Sequence, residues 1–585
     1  APRERTAGPD GLDERIVLTS TATTPVQTGL RLGVAADLAA VHVVKAGECP
    51  APVPAVRAAD GLRWSAPGVR VDLAAADAEP DADAGTLGWR VVVPPRGTAE
   101  VRWSLRVRDD RRVVVPVAGE PPWARPAVRA DDPRLAALLE RSLADLDTLR
   151  LASADLPGET FLAAGAPWFF TLFGRDSLWA ARMLLPLGTG LAASTLRALA
   201  HYQGRRHEVE TGEAPGKIMH ELRRTGFTLS RGEGGALPPL YYGTVDATPL
   251  WVLLLHDAWR WGLPADAVEP LLPNLEAAMG WLAADADPDG DGFVEYVDAS
   301  GHGLANQGWK DSSDSVRFRD GRIAEAPIAL AEVQGYAHSA AVAAAELLDA
   351  FGRKGGDRWR TYAARLAASF RHSFWVEDEH GPHPAFALDG DKRPVDALVS
   401  NAGHLLGTGL LDAGEAHLVV DRLTAPDMDS GYGLRTMSAA AGGYAPLSYH
   451  CGTVWPHDTA IVALGMAREG LVAEAAQLVT GLVAAAPAFD DRLPELYGGD
   501  GRAKTPRPIP YPASCRPQAW SAASAVAALQ VLLGLRVDVP AGLVELRPPS
   551  PSPVGELHVD GLVAGGERLA VTVDRDGGVV RASRG

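Results

Sequence analysis

Hydrophobic and polar positions alternate in short runs along the first 125 residues: Arg15–Leu18, Val41–Val44, Val69–Leu73, Trp89–Val93, Glu100–Val107 and Arg112–Val117. A period of two, rich in β-branched residues, predicts half-buried strands. Clusters of Gly, Pro and Asp separate the runs at about 8 to 20 residues, the pattern of a sandwich of two antiparallel sheets. The sandwich is expected to span 1–125, ending in the linker-like Pro121-Pro122-Trp123-Ala124-Arg125-Pro126.

From about residue 132 the period lengthens. Asp132 and Pro133 give an N-cap and a first-turn proline, and Leu135, Leu138, Leu139, Leu143 and Leu146 follow in steps of three and four. Further helices are predicted over 176–188, 192–203, 246–261, 266–284, 328–351, 357–375, 396–410, 414–423, 457–468, 471–485 and 516–534. The segment Thr248–Trp261 is apolar all round and should be buried on every side, whereas others are amphipathic. The Ala-rich segment Ala337–Ala350 allows neighbouring helices to approach closely. Buried and amphipathic helices in alternation predict two concentric layers, a mostly α fold of the (α/α)6 toroid type over 126–538. A solenoid would hold a similar number of helices, but no repeat of fixed period is visible. Residues 539–585 return to a β pattern at Leu543–Leu546, Glu556–Val559, Leu569–Val573 and Val579–Arg581, a small β-rich C-terminal segment.

Composition narrows the function classes. At 46% apolar and 22% charged residues the chain is an ordinary globular sequence, which excludes disordered and collagen-like classes. The net charge is -17, from 73 acidic and 56 basic side chains, so nucleic acid and anionic membranes are poor partners. A neutral substrate such as a sugar fits better, and fifteen Trp against twelve Phe suits a carbohydrate pocket. Cys49, Cys451 and Cys515 are too few for a disulfide framework and read as small thiols. No apolar run reaches about 18 residues and no signal pattern opens the chain. Cytoplasmic placement is therefore the expectation, although a chain beginning at Ala1 is compatible with a cleaved leader. The oligomeric state stays open.

The candidate chemistry lies in six loops between helices. Loop 166–177 carries Trp168, Phe173, Arg175 and Asp176; loop 241–246 carries Tyr242 and Asp246; loop 306–312 carries Trp309, Lys310 and Asp311. Glu332 and Gln334 follow in 332–336, Trp455, His457 and Asp458 in 449–458, and Glu495 in 493–499. In a toroid alternate loops emerge at one end, so residues spread along the chain can converge on one funnel.

These loops resemble those of the α/α-barrel glycoside hydrolases. Residues from about 160 to 535 are most similar to the glucosidase half of glycogen debranching enzymes and to trehalase and glucosylglycerate hydrolase relatives. The first 125 residues resemble the N-terminal sandwich of bacterial debranching-enzyme relatives. The most specific pieces are Trp309-Lys310-Asp311, Trp455-Pro456-His457-Asp458 and Pro494-Glu495-Leu496-Tyr497. The resemblance implies an inverting exo-α-glycosidase, α-glucosidase-like (amylo-α-1,6-glucosidase-like), acting on a small glucoside or a glucan end. Only the hydrolytic half is expected, since 585 residues leave no room for the transferase barrel of bifunctional debranching enzymes. It implies Asp311 as general acid and Glu495 as general base. Such a reaction needs both, because the leaving oxygen takes a proton and the attacking water loses one. Inversion leaves room for the water by holding the carboxyls about 6.5–9.5 Å apart.

Each residue also has a plainer reading. Asp311 could cap a helix through Ser312 and Ser313, and Asp314 is the rival acid. Glu332 is the rival base; with Gln334 it could instead bind hydroxyls or order the water. Arg175 and Asp176 resemble the pair that grips the terminal sugar, or form a buried ion pair with Asp176 as N-cap, and Asp246 shares the ambiguity. Trp168, Tyr242, Trp455 and Trp520 are stacking platforms or core; His457 and Asp458 could hold a hydroxyl or the base. Asp287, Asp289 and Asp291 sit at positions 1, 3 and 5 of a calcium-type loop, but Asp298 stands where Glu is wanted at position 12, and a Gly-rich Asp turn explains the run equally well. No other metal or cofactor is expected, since zinc spacing and the Walker and dinucleotide fingerprints are missing. Competing functions are a glycoside phosphorylase on the same barrel, a glycan-binding protein with a decayed site, and a toroid cyclase or prenyltransferase, for which the loops are too polar.

Overall fold

The first strands pair as the alternation predicts. In the computed structural model, which describes residues 2–228 and 235–585, they are β1 (Arg3–Gly8), β2 (Gly11–Thr19), β3 (Val26–Gly33), β4 (Val56–Ala58), β5 (Gly61–Ala66), β6 (Val69–Ala74), β7 (Glu79–Asp81), β8 (Thr86–Val93) and β9 (Thr98–Asp109). One antiparallel sheet has the order β1-β2-β9-β6-β5-β4 and a second has the order β3-β8-β7. Register puts every second residue inward: Leu62, Trp64, Val71, Leu73, Leu87, Trp89, Val91, Val93, Val101 and Trp103 form one core fed by both sheets. The chain divides into two units, Ala1–Pro116 and Val117–Gly585.

One expectation in this unit fails. Val41–Val44 is not a strand but part of helix α1 (Val41–Lys45), a single turn with no buried residue. Val41 is 39% and Val44 46% exposed. A β-branched run gains from extension only against a partner strand and a buried face, and here it has neither.

The second unit holds α2 (Pro133–Thr148), α3 (Gly174–Met183), α4 (Gly190–His201), α5 (Ala247–Arg260), α6 (Ala265–Val268), α7 (Leu272–Leu282), α8 (Ala331–Ala350), α9 (Gly356–Ser373), α10 (Ala413–Leu423), α11 (Pro456–Arg468), α12 (Val472–Ala485) and α13 (Ala519–Leu533). The start of α2 follows its signal: the Asp132 side chain accepts from the N–H of Arg134, with Pro133 in the first turn. Neighbour relations run in order. α3 packs on α5, α5 on α8, α8 on the 3-10 segment Ser400–Leu405, that segment on α11, α11 on α13, and α13 back on α3. A second set lies against these: α2 on α13, α4 on α3 and α5, α7 on α5 and α8, α9 on α8, α10 on Ser400–Leu405, and α12 on α11 and α13. Burial matches the two sets. Nearly all of α5 and α13 is buried, while α9 buries one stripe of Trp359, Ala363, Leu366 and Phe370.

Two helices differ from expectation. Over 396–410 only the 3-10 segment Ser400–Leu405 is helical, and Gly407 and Gly409 beyond it have φ of 72° and 76°. A side chain at Gly403 would come within 2.6 Å of Val462 on α11, so the element is short and close-packed. Over 266–284, Pro270 and Pro273 break the helix into α6, the 3-10 turn Glu269–Leu271 and α7. One stretch missed at the sequence level, Val472–Phe489, is long and apolar enough to cross a membrane by length and composition alone, because the 3-10 turn Ala486–Phe489 extends α12; 56% of it is buried inside the protein.

The C-terminal strands Leu557–Ala564, Glu567–Val573 and Val579–Arg584 make an antiparallel sheet with Ala127–Ala130, while Leu543–Leu546 pairs with Leu535–Asp538. α3, α5, α8 and α11 each begin at or just after a polar stretch that carries candidate site residues.

The Ala-rich packing is testable. Ala344 on α8 is 0% exposed, so Ala344→Leu overpacks the interface and should lower stability by about 1–3 kcal/mol. Urea unfolding reads this; an unchanged midpoint would mean that α8 is not closely packed there.

Candidate active site

Polar side chains gather at the N-termini of the six mutually packed elements. Arg175 and Asp176 lie in the first turn of α3, Asp246 precedes α5, Glu332 lies in the first turn of α8, Asn401 opens the 3-10 segment, and His457 and Asp458 lie in the first turn of α11. Trp520 is the second residue of α13. Free N–H groups and the positive end of the dipole favour carboxylates at such ends. Gly174 opens α3 because a side chain there would meet the Met219 carbonyl at 2.2 Å.

Arg175 is the hub. Its Nε donates to Asp246 Oδ2 at 2.7 Å and its Nη2 donates to the Gly308 carbonyl at 2.7 Å and to Thr244 Oγ1 at 3.4 Å. Its Nη1 lies 3.7 Å from Asp311 Oδ2. Burial works against the charge on this guanidinium, but Asp246, Asp311 and Asp176 more than hold it. Asp246 is completed by Thr244, which donates its hydroxyl to Oδ1 at 2.8 Å. Asp176 is buried beside these charges. Desolvation, opposed by Arg175 and reinforced by Asp311, Glu495 and Asp246, pushes it up to about 7. Asp311 and Glu495 thus both act on Asp176.

Glu495 is held from two sides. The Tyr449 hydroxyl donates to Oε1, and the N–H of Cys515 donates to Oε2 at 2.9 Å. Its backbone N–H donates to the Cys515 carbonyl, also at 2.9 Å. Glu495 is 2% exposed, whereas the Asp311 side chain keeps 31% of its exposure. Ser312, next to Asp311, contacts His450 Nδ1 through its N–H (3.3 Å) and its hydroxyl (2.8 Å). The rival Asp314 is occupied by Arg317 at 3.0 Å, and the rival Glu332 is fully buried.

An aromatic wall backs the site. Trp309, Trp455, Leu496 and Trp520 form one cluster with Tyr449 and Tyr511. His457 stacks on Trp520 at 3.6 Å and meets Trp309 edge-on at 5.0 Å. Burial, with His404 and Arg175 nearby, drives His457 well below its ordinary pKa, so its imidazole is neutral. Among the described residues neither of its ring nitrogens nor Trp309 Nε1 has a hydrogen-bond partner. Beneath Trp309, His404 bridges the Tyr336 hydroxyl and Asp458 Oδ1, the latter at 2.7 Å. Lys310 donates to the Thr436 carbonyl at 2.5 Å and lies over the Trp309 ring. Burial lowers its pKa and raises that of Glu332, whose Oε1 accepts from Asn401 at 2.7 Å.

Other candidates also make bonds and contacts that hold the fold. Gln334 gives its amide to the carbonyls of Val294 and Leu330 and accepts from the Val294 N–H at 2.9 Å. Tyr242 donates to the Tyr202 carbonyl at 2.6 Å. Trp168 is half-buried, its indole N–H fixed on the Ala513 carbonyl at 3.0 Å. Phe173 precedes α3 and packs edge-on against His220 at 5.5 Å. Trp455 donates to the Tyr449 carbonyl at 2.9 Å. Three residues here escaped the sequence-based choice: Tyr449, although its loop was marked, Asn401, which lay inside a helix drawn too long, and His404, an isolated histidine without a motif.

Comparisons with known proteins identify two family domains in the chain. The family described as "Mannosylglycerate hydrolase MGH1-like glycoside hydrolase domain" matches residues 176–497, and the "N-terminal domain of (some) glycogen debranching enzymes" matches residues 2–104. A GH78 family rhamnosidase of Bacillus sp. GL1 is similar in structure, with a TM-score of 0.55 and 13% identity over 96% of this chain and 50% of that one. The chain thus spans half the length of that relative. The GH63 mannosylglycerate hydrolase from Thermus thermophilus in complex with glucose has a TM-score of 0.50 and 16% identity over 67% of this chain and 99% of that one. At these identities the likeness is one of fold. No curated protein sequence matches the chain.

The charge of Asp176 generates a stability prediction. A carboxyl whose pKa is raised on folding binds its proton more tightly in the folded state, so its contribution is favourable at low pH. That contribution is lost as pH rises from about 4, the unfolded value, to the folded value of about 7. Asp176→Asn should therefore melt higher than the wild type at pH 8, by a few degrees, with the gain vanishing towards pH 4. A gain independent of pH would show that Asp176 is ionised throughout this range.

Proposed function

The chain belongs to the MGH1-like glycoside hydrolases, whose domain covers more than half of it, and from that premise we propose that it is an inverting exo-α-glycosidase of α-glucosidase type with Asp311 as general acid and Glu495 as general base. The observation that carries the reading is the contrast between the two carboxyls. Glu495 is buried and fixed by two donors, while Asp311 is the more open one and is reached by the Arg175 hub. The two donors fix the orientation of Glu495, as a base that aligns a water requires. In the reaction Asp311 gives its proton to the glycosidic oxygen as the bond to the anomeric carbon breaks. Water attacks that carbon from the opposite face and passes its proton to Glu495.

Arg175, Asp176 and Asp246 are then the groups that grip the hydroxyls of the terminal sugar, with Trp309, Phe173, Trp455 and Trp520 around its faces. The partnerless nitrogens of neutral His457 suit hydroxyls, which both donate and accept. The succession of contacts from α3 through α13 and back supports reading the helical part, 126–538, as an (α/α)6 toroid. A phosphorylase would have no use for a held base, so Glu495 favours hydrolysis.

The reading is tested with purified protein on α-glucosides, trehalose, glucosylglycerate, mannosylglycerate and branched dextrins, following product anomers by NMR. The β-anomer should appear first from an α-glucoside. Asp311→Asn and Glu495→Gln should each reduce kcat by about 10²–10⁴-fold while circular dichroism is unchanged. First release of the α-anomer would refute inversion. Unchanged activity in either variant would refute its role, and turnover of mannosylglycerate alone would reassign the sugar.

A further inference from the structure

The acidic turn after α7 is not used by the reaction, yet it is built around a charge. Asp287, Asp289 and Asp291 present carboxylate oxygens that lie within 4.8 Å of one another. Part of each is spent on the turn itself. Asp287 accepts from the N–H groups of Gly290 and Gly292 at 2.9 and 3.0 Å, Asp289 from Asp291 at 3.2 Å, and Asp291 from Phe293 at 2.8 Å. The other oxygens of Asp289 and Asp291 converge, with Glu295 Oε2, on the ammonium of Lys392 at 2.8, 2.7 and 2.6 Å. Lys392 comes from a distant hairpin and sits there with a left-handed φ of 60°.

Three carboxylate oxygens around one positive centre imitate the oxygen cage of a hard cation. The side chain of Glu295 is 1% exposed, and its Oε1 has no partner among the described residues, so the cage has ligand capacity that the lysine leaves unused. Asp298, at the twelfth position of a calcium-type loop, does not complete it. It accepts instead from Ser300 and Gly303 of its own turn.

We propose that this turn is a cation site whose resident cation is the Lys392 ammonium, and that it accepts a calcium-like ion once that ammonium is removed. Charge supports the assignment. Burial alone would lower the lysine pKa, but its bonds to Asp289, Asp291 and Glu295 hold it above the ordinary range. The bond to Lys392 likewise lowers Asp289, while Asp287, which has no bond to the ammonium, is pushed up by burial and by Asp291 and Asp289.

The cage also leads to the loop of Asp311, and this part rests on the functional reading above. Tyr296, next to Glu295, donates its hydroxyl to Asn306 Oδ1 at 2.7 Å. Asn306 Nδ2 donates to the Ser312 carbonyl at 2.8 Å, one residue past Asp311. Lys392 is thus a positioning residue for the acid-bearing loop.

The experiment compares full-length wild type, Lys392→Ala and Lys392→Gln in EDTA and in millimolar CaCl2, with Tb³⁺ luminescence sensitised by protein aromatics as a direct probe. The wild type should melt at the same temperature in both buffers and give no saturable Tb³⁺ signal. Lys392→Ala should melt about 5 °C lower in EDTA, recover in calcium and show a saturable Tb³⁺ signal that Asp289→Asn, added to it, removes. Lys392→Gln should behave as a weaker version; it carries the test if the alanine variant does not fold. A calcium-dependent wild type, or lysine variants that are destabilised but blind to calcium and Tb³⁺, would overturn the cation site. For the coupling, kcat of Lys392→Ala should fall about ten-fold in EDTA at nearly constant KM and recover in calcium. Recovery of melting temperature without recovery of kcat would overturn the coupling alone. Failure of the glycosidase reading would leave the melting and luminescence results standing.

Discussion

The site depends on one buried guanidinium. Arg175 bonds Asp246, the Gly308 carbonyl and Thr244 and lies within 3.7 Å of Asp311, so it joins the starts of α3 and α5 to the loop that carries the acid candidate. Without it Asp176, Asp246 and Asp311 would face one another with no cation between them, an arrangement that burial makes costly. Its planar fork serves several acceptors at once, which a lysine ammonium in that place could not do with the same geometry.

That hub works because of a constraint set by the fold. The six mutually packed elements all place their N-termini at the polar loops, so one end collects partial positive charge and free N–H groups while the apolar lengths behind pack on one another. Carboxylates at 176, 246, 332 and 458 are tolerated there with little solvent. The aromatic wall of Trp309, Trp455 and Trp520 raises the strength of each interaction by removing water. Burial pushes Asp176 and Glu332 upward, desolvation being the leading influence on both.

Much of this was readable from the sequence because the polar residues stand next to helix starts, where N-cap and proline signals are strong. Asp132-Pro133 and Trp455-Pro456 are such cases. What was not readable depended on distant partners. Gln334 looked like a hydroxyl binder until its bonds to Val294, forty residues away, were seen. Tyr242 is likewise committed to Tyr202. The helix expected over 396–410 hid Asn401, because sequence pattern does not show that only the short segment Ser400–Leu405 is helical or that Gly403 within it packs against Val462. The Val41–Val44 run misled because alternation does not reveal whether a partner strand exists.

Three acidic clusters in this chain share one design at different settings. Arg175 serves Asp176, Asp246 and Asp311; Lys310 lies near Glu332 and Asp458; Lys392 serves Asp289, Asp291 and Glu295. In each, one internal cation meets more than one carboxylate, so negative charge is left over. In the turn around Lys392 the Asp289 and Asp291 side chains stay near solvent, 46% and 28% exposed, while Glu295 is buried. Around Arg175 and Lys310 the surplus is buried, where excess charge is expressed in the raised pKa of Asp176 and Glu332 and, among the described residues, in polar atoms without partners, such as Glu332 Oε2 and Asp458 Oδ2. The fold bears this buried charge at one end because the helix N-termini gathered there supply partial positive charge and free N–H groups.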